Sequence, residues 1–320
     1  LRQSKSEKFK GIPHPRDMNI EELEAHLIEL RSKNMNTRGV LRKLFMKHCK
    51  AGNLERVELI KAELKGMGEA LQPGMKALLF TLYVDNGRIG EVCNIILDLQ
   101  MNHPQFKIDA FKLLKAAKVL VEQGKIETAL EIIANSGKAM RVANFESFLL
   151  LDTIARGERY EMLERTLEIL TNGNYCELSS EILGTLMRPA VIRKQWSSVV
   201  RMMEEFLEIY SAVPLKQEVL SGLIEQGEVE LVDRVVKCIE RAHGKDAAVQ
   251  HLIIAYGRHG KIEKLKELFE ASETSKVPKL YFSKSATVEM KAQVLSNIIL
   301  ATQGIQMDLQ TVYEPLLLTY

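Results

Sequence analysis

The sequence predicts an all-α fold, an α-solenoid of stacked helix-turn-helix repeats about 35 residues long. Three observations predict it. The first is a glycine that returns in one short polar phrase: Lys50-Ala51-Gly52-Asn53, Asp85-Asn86-Gly87-Arg88, Gln123-Gly124-Lys125, Arg156-Gly157-Glu158, Gln226-Gly227-Glu228 and His259-Gly260-Lys261. The steps between these glycines are 35, 37, 33, 70 and 33 residues; the double step has Gln195 near its middle, in a degenerate copy. A period of this size is the mark of a stacked helical repeat. The second is a set of apolar columns. Eight positions before the turn stand Leu44, Leu79, Ala116, Leu149, Met187, Val219 and Leu252, and five after it Val57, Val92, Ala129, Met162, Val200, Val232 and Leu265. Eight after, the column is apolar except at Arg165. Positions three apart share a helix face, so each unit is a helix A, a glycine turn and a helix B. The third is the breakers between units, Gln72-Pro73-Gly74, His103-Pro104 and Val213-Pro214, because proline past a helix end stops its continuation.

Residues 1–16 form a polar, basic tail closing on Pro13-His14-Pro15-Arg16. The opening at Leu1 reads as a fragment or a processed product, with a targeting peptide neither shown nor excluded. Residues 17–36 hold one amphipathic helix with Leu23, Leu27 and Leu30 on one side, the B helix of a halved repeat. Seven units fill residues 37–270. In each turn the glycine takes the left-handed conformation that ends a helix cheaply; in the fifth either Gln195 bears that strain or the turn is built differently. Residues 271–284 form an insertion containing Leu280-Tyr281-Phe282, read as an ordered segment that docks a partner or as a loop packed on the last repeat. Residues 285–320 make a C-terminal repeat or cap. Two helices cannot bury both apolar faces alone, so stacking completes the core.

Composition narrows the functional classes. Apolar residues make up 46% and charged residues 27%, with a net charge of +2. No global field for a polyanion exists, so nucleic-acid contacts must come from local clusters. No apolar run approaches a membrane span. Cys49, Cys93, Cys176 and Cys238 form no CxxC pair and read as reduced, mostly buried thiols. There is no nucleophile elbow, Walker loop, Rossmann glycine run or HExxH. His251 and His259 lack a partnering cysteine at ligand spacing. The expectation is a non-enzyme with no cofactor and no metal.

The segment Leu41 to Gly74 resembles a pentatricopeptide repeat: Cys49-Lys50-Ala51-Gly52 matches the family's turn, Glu55 its following acid and Pro73 its closing proline. Ala255 to Glu263 and Gln123 to Leu130 are similar to the turn and to the start of the second helix. The tetratricopeptide pattern is absent in every unit, and HEAT and armadillo units run longer. The resemblance implies RNA binding in the mitochondrial matrix, with nucleus or cytosol as alternatives. The task implied is messenger RNA stabilisation, polyadenylation and translation, beside a small RRM-domain partner protein (SLIRP-like).

In such arrays one repeat reads about one base with two or three side chains. By resemblance the main position lies ten residues before the turn, giving Arg42, Ala77, Leu114, Ser147, Thr185, Gln217 and Gln250. Ala77 and Leu114 cannot hydrogen-bond a base, and no unit carries the family's paired code, so no base sequence is predicted. Sequence-tolerant binding to single-stranded RNA remains, through phosphate contacts and stacking. Candidate phosphate contacts are Arg38, Arg42, Lys43 and Lys47, a second stripe at Lys112, Lys115 and Lys118, and Arg258 beside His259. Each stripe alone is also what a solvated helix face looks like. Phe45, Phe80 and Phe148 sit in or beside the apolar columns and read as core. The other reading kept open is a protein-binding scaffold with an exposed apolar groove.

Overall fold

The computed structural model describes residues 17–271, 277–282, 286–305, 308–310 and 312. The basic tail, parts of the insertion and most of the segment after residue 305 lie outside them. Among the described residues the secondary structure is helical, without strands. Two compact units are present, residues 1–146 with 172–175, and residues 147–171 with 176–320.

The first unit opens with α1 (Ile20–Ser32). Asn19 caps it, accepting from the Glu22 amide at 2.8 Å, while the Glu22 carboxylate accepts from the Asn19 amide at 2.8 Å, a reciprocal capping box. Three helix pairs follow: α2 (Arg38–Lys50) with α3 (Leu54–Gly66), α4 (Pro73–Asp85) with α5 (Ile89–Asn102), and α6 (Ala110–Glu122) with α7 (Ile126–Asn135). Asn53 and Asp109 cap α3 and α6, and Pro73 sits at the first position of α4, where a missing N–H costs nothing. The even-numbered helices are sandwiched. α2 packs on α1, α3 and α4, and α6 on α4 and α7, so α6 buries Leu113, Leu114, Ala116, Ala117 and Leu120 on adjoining sides.

The second unit begins within α8 (Asn144–Arg156). A 3-10 turn (Tyr160–Met162) leads into α9 (Leu163–Asn172). Then come α10 (Ser180–Ile192) with α11 (Trp196–Tyr210), α12 (Lys216–Gln226) with α13 (Val229–His243), and α14 (Lys245–Arg258) with α15 (Ile262–Glu270). α16 (Val288–Ala301), capped by Thr287, closes the described helices. One core runs from Met187 through Trp196, Val200 and Leu220 to Val235. Another joins Ile253, Phe269, Val294 and Ile298 with Val277 of the insertion.

The turns share one geometry. Gly52, Gly87, Gly124, Gly227 and Gly260 have φ between 62° and 79°. The next amide reaches back five residues, as in Arg88 N to Tyr83 O at 2.8 Å and Lys125 N to Leu120 O at 2.9 Å. This is the Schellman closure, and its left-handed residue favours glycine. Two sequence expectations need correction. In the fifth unit the left-handed residue is Lys194 (φ 55°), with Gln195 donating to Ala190 O at 2.9 Å. Gln195 has φ −82° and carries no such strain. In the fourth unit Gly157 is not left-handed. Helix A there ends at Arg156, so the turn position is Glu158 by comparison with α2, α4, α6 and α10. Counted from Glu158, the columns fall on buried Leu150, Leu163 and Thr166, and the exception at Arg165 disappears.

Two stability predictions follow from these turns and contacts. Lys194→Gly is expected to stabilise by about 0.5–1 kcal/mol, since glycine relieves the left-handed strain but adds unfolded-state freedom; a lower urea midpoint would overturn this. Gly222 lies in α12 against the Trp196 ring, and an added Cβ would come within 2.1 Å of Cη2. Gly222→Ala is therefore expected to cost about 1–3 kcal/mol, whereas an unchanged midpoint would mean that the indole moves freely.

Candidate nucleic-acid interface

The A helices of the first unit, α2, α4 and α6, carry nine Lys or Arg against two acids, Asp85 and Glu122. Sandwiching explains where these cations sit: two sides of each helix are apolar and buried, and charge is confined to the strip left over. Some cations are engaged. Arg38 and Arg42 both hold Glu69, in the link before α4, and Arg38 also donates to the Met67 carbonyl at 3.4 Å. Lys115 pairs with Asp85 at 2.5 Å and Lys118 with Glu122 at 2.5 Å. Lys43, Lys47 and Lys112 form no salt bridge among the described residues, and all three are half-buried. Lys43 and Lys115 both stand nine residues before their turn glycines.

Two aromatic rings that the sequence reading passed over are exposed on A helices. Phe111 and Phe145 are each the second residue of an A helix, in α6 and α8, and are 52% and 66% exposed. Their signal was available: an aromatic outside the apolar columns at one helix position in consecutive units. Phe45 and Phe80 are fully buried, as their columns imply, and Phe148 is half-buried.

The second unit differs in charge. α10, α12 and α14 hold four cations and four acids. Arg188 bridges Asp152 of α8 at 3.4 Å and Glu218 of α12 at 2.5 Å. Neighbouring A helices are also joined by neutral pairs. His251 Nδ1 lies 2.7 Å from Gln217 Oε1, Ser221 Oγ lies 2.7 Å from His259 Nε2, and Asn297 donates to the Gly257 carbonyl at 2.8 Å. Two predicted base-reading residues are placed elsewhere. Ser147 and Thr185 are buried, and the Thr185 hydroxyl donates to the Ile182 carbonyl at 2.7 Å. Both were counted from a turn one residue out of place; the positions ten before the turns are Phe148 and Gly184. Gln250 is half-buried on α14, and Arg258 is exposed without a salt bridge among the described residues.

Gln217 and Arg258 meet at a groove of about 720 Å³, lined also by Lys216, His251, Tyr281 and Phe282. Lys216 donates to His243 Nε2 at 3.1 Å. Burial, and then the Lys216 ammonium and His243, push the His251 imidazole down to about 4, so the ring is neutral at pH 7. Burial lowers Lys216 too, with Glu181 opposing. A second groove of about 600 Å³ between α12, α13, α14 and α15 is mainly apolar, with Leu223, Ile224, Val232, Leu252 and Leu268 along it. The four thiols are unpaired, and burial raises Cys49 to about 12 and Cys176 to about 11, far from reactive thiolates. No described helix is long and apolar enough to cross a membrane.

Schellman-closed helix pairs at a 33- to 37-residue step define a helical-repeat solenoid, and in fold it is one of the pentatricopeptide type. It is similar to the crystal structure of the pentatricopeptide repeat protein PPR10 from maize, with a TM-score of 0.56 and 15% identity over 96% of this chain and 45% of that one. In sequence it is similar to the leucine-rich PPR motif-containing protein, mitochondrial, of Xenopus tropicalis, 21% identical over 287 residues, which are 88% of this chain. The chain spans about a fifth of that relative's length. No family model matches the chain.

The buried imidazole gives a pH signature. Its folded value of about 4 lies below the ordinary 6.5, so the unfolded chain takes up this proton first. Its contribution is full above pH 6.5 and is lost as pH falls from 6.5 towards 4. The drop in melting temperature across that window is expected to be smaller for His251→Gln than for the natural chain. Parallel curves would show that His251 is as easily protonated folded as unfolded.

Proposed function

We propose that this chain binds single-stranded RNA without a strict base code, through the A-helix strip of its first unit. The observation that carries the reading is the charge imbalance of α2, α4 and α6, with Lys43, Lys47 and Lys112 unspent on salt bridges. Phosphates supply affinity through such cations, and exposed rings supply stacking that every base accepts; Phe111 and Phe145 are placed for that role. The pentatricopeptide fold and the likeness to a mitochondrial relative support the finer reading, a place in the mitochondrial matrix and a task in messenger RNA stabilisation, polyadenylation and translation. The role is binding rather than catalysis. The apolar groove beside α13 and α15 supports the second reading, a scaffold for a protein partner, for which a small RRM-domain protein fits the family resemblance.

Fluorescence anisotropy of the chain with a labelled single-stranded RNA at several salt concentrations tests the first reading. Affinity is expected to fall steeply with salt. Reversing Lys43, Lys47 and Lys112 to Glu together is expected to flatten the slope of log K against log salt by about two, at about 0.7 per lost single-strand contact, with the melting temperature unchanged. Absence of binding at low salt would move the function to the scaffold reading.

A further inference from the structure

The link between α15 and α16 returns an aromatic ring to the A helices of earlier repeats. Val277 is buried in the last core, with Leu280 and Phe282 half-buried against it. These anchors hold Tyr281 between them, 65% exposed, at the groove beside Lys216, Gln217, His251 and Arg258. The polar groups there have defined roles. Gln217 Nε2 donates to the His251 carbonyl at 3.4 Å, which fixes the amide orientation, and Gln217 Oε1 therefore faces His251 Nδ1 at 2.7 Å. An amide oxygen only accepts, so the imidazole carries its proton on Nδ1 and keeps Nε2 as an acceptor. Glu218, also at the groove, is taken up by Arg188, and Glu181 lies on the same wall as Lys216.

An exposed ring with the Lys279 ammonium 5.7 Å from its centroid, a ring nitrogen that accepts, and the cations Lys216 and Arg258 are complementary to few ligands. A basic peptide side chain would meet Lys216 and Arg258 unfavourably. An apolar one would leave the acceptor and both cations unmatched. A nucleotide offers a flat face, an exocyclic amine and a phosphate together. We propose that this groove holds one nucleotide of a bound RNA. Its base, adenine or cytosine, stacks on Tyr281 with its amino group donating to His251 Nε2, and its phosphate lies against Arg258. This rests on the RNA-binding reading and goes beyond it. The stacking ring comes from the inter-repeat link rather than from a repeat, so the nucleotide is held outside the one-base-per-repeat arrangement.

The test is anisotropy of the intact chain with labelled oligo-A and oligo-U, comparing the natural protein with Tyr281→Ala and Tyr281→Phe. The ring is exposed, so neither change threatens folding. Tyr281→Ala is expected to weaken oligo-A binding roughly tenfold, the size of one lost stacked base, and oligo-U binding less. Tyr281→Phe is expected to bind as the natural chain does. AMP titrated into the natural chain is expected to shift the His251 ring resonances, and not in Tyr281→Ala. Equal affinity of Tyr281→Ala and the natural chain, or equal loss in the Ala and Phe variants, would overturn the pocket alone. RNA binding that disappears on reversal of Lys43, Lys47 and Lys112 yet ignores Tyr281 would leave the first-unit reading standing without it. A natural chain that binds neither oligomer would overturn both.

Discussion

The stacking within each unit depends on helix A being enclosed on two sides: α2 lies against α3 and α4, α6 against α7 and α4, and α14 against α15, α12 and α16. In α6 this leaves Ala110, Leu113, Leu114, Ala116, Ala117 and Leu120 inside, six of thirteen residues. The polar remainder is a narrow strip, and whatever the repeat does to a ligand on that side must be done from it. Burial also removes candidates. Leu114 occupies the position where a coded array would place a base-reading side chain, and it is fully buried.

The strip is used differently in the two units. In the first, lysines occupy it with few acids nearby, and the arginines Arg38 and Arg42 are drawn to Glu69 in the inter-repeat link. A guanidinium makes several directional bonds and suits a fixed carboxylate, whereas Lys43, Lys47 and Lys112 keep point charges outside any salt bridge among the described residues. In the second, Arg188 is shared between two carboxylates, and Gln217, Ser221 and Asn297 tie neighbouring helices with neutral groups. The four cations of α10, α12 and α14 are matched by four acids, so this strip lacks the excess positive charge that phosphate tracking draws on. Its groove offers shape and hydrogen bonding instead.

Much of this was legible before any coordinates. Helical period, glycine turns and apolar columns follow from local geometry, which sequence encodes directly, and they located the helices. The failures came where the local signal was missing. In the fourth and fifth units the turn residue is not a left-handed glycine, so the count started one residue away, and Ser147 and Thr185 were put where Phe148 and Gly184 stand. Charge pairing was not legible either: Glu69 and Asp85 lie 27 and 30 residues from Arg42 and Lys115, and only the stacking brings them together. The groove was hidden for the same reason, since the link carrying Tyr281 folds back to Lys216, two repeats earlier.

The turns show how little sequence such an array needs. A Schellman closure asks for one left-handed residue, and glycine supplies it at the lowest steric cost, but with Lys194 in that conformation the Gln195 amide makes the same closing bond to Ala190. The fourth unit manages without a left-handed glycine, entering helix B through a 3-10 turn at Tyr160–Met162. What persists in both is the burial: Leu150, Leu163 and Thr166 in one, Trp196, Val199 and Val200 in the other. The Thr166 hydroxyl is satisfied by the Met162 carbonyl at 2.7 Å, so even a polar residue fits a column when its own helix accepts the bond. The repeat is therefore specified by which side chains must leave water, with the glycine as a convenience. That explains how the motif drifts past recognition in units four and five while the buried columns persist.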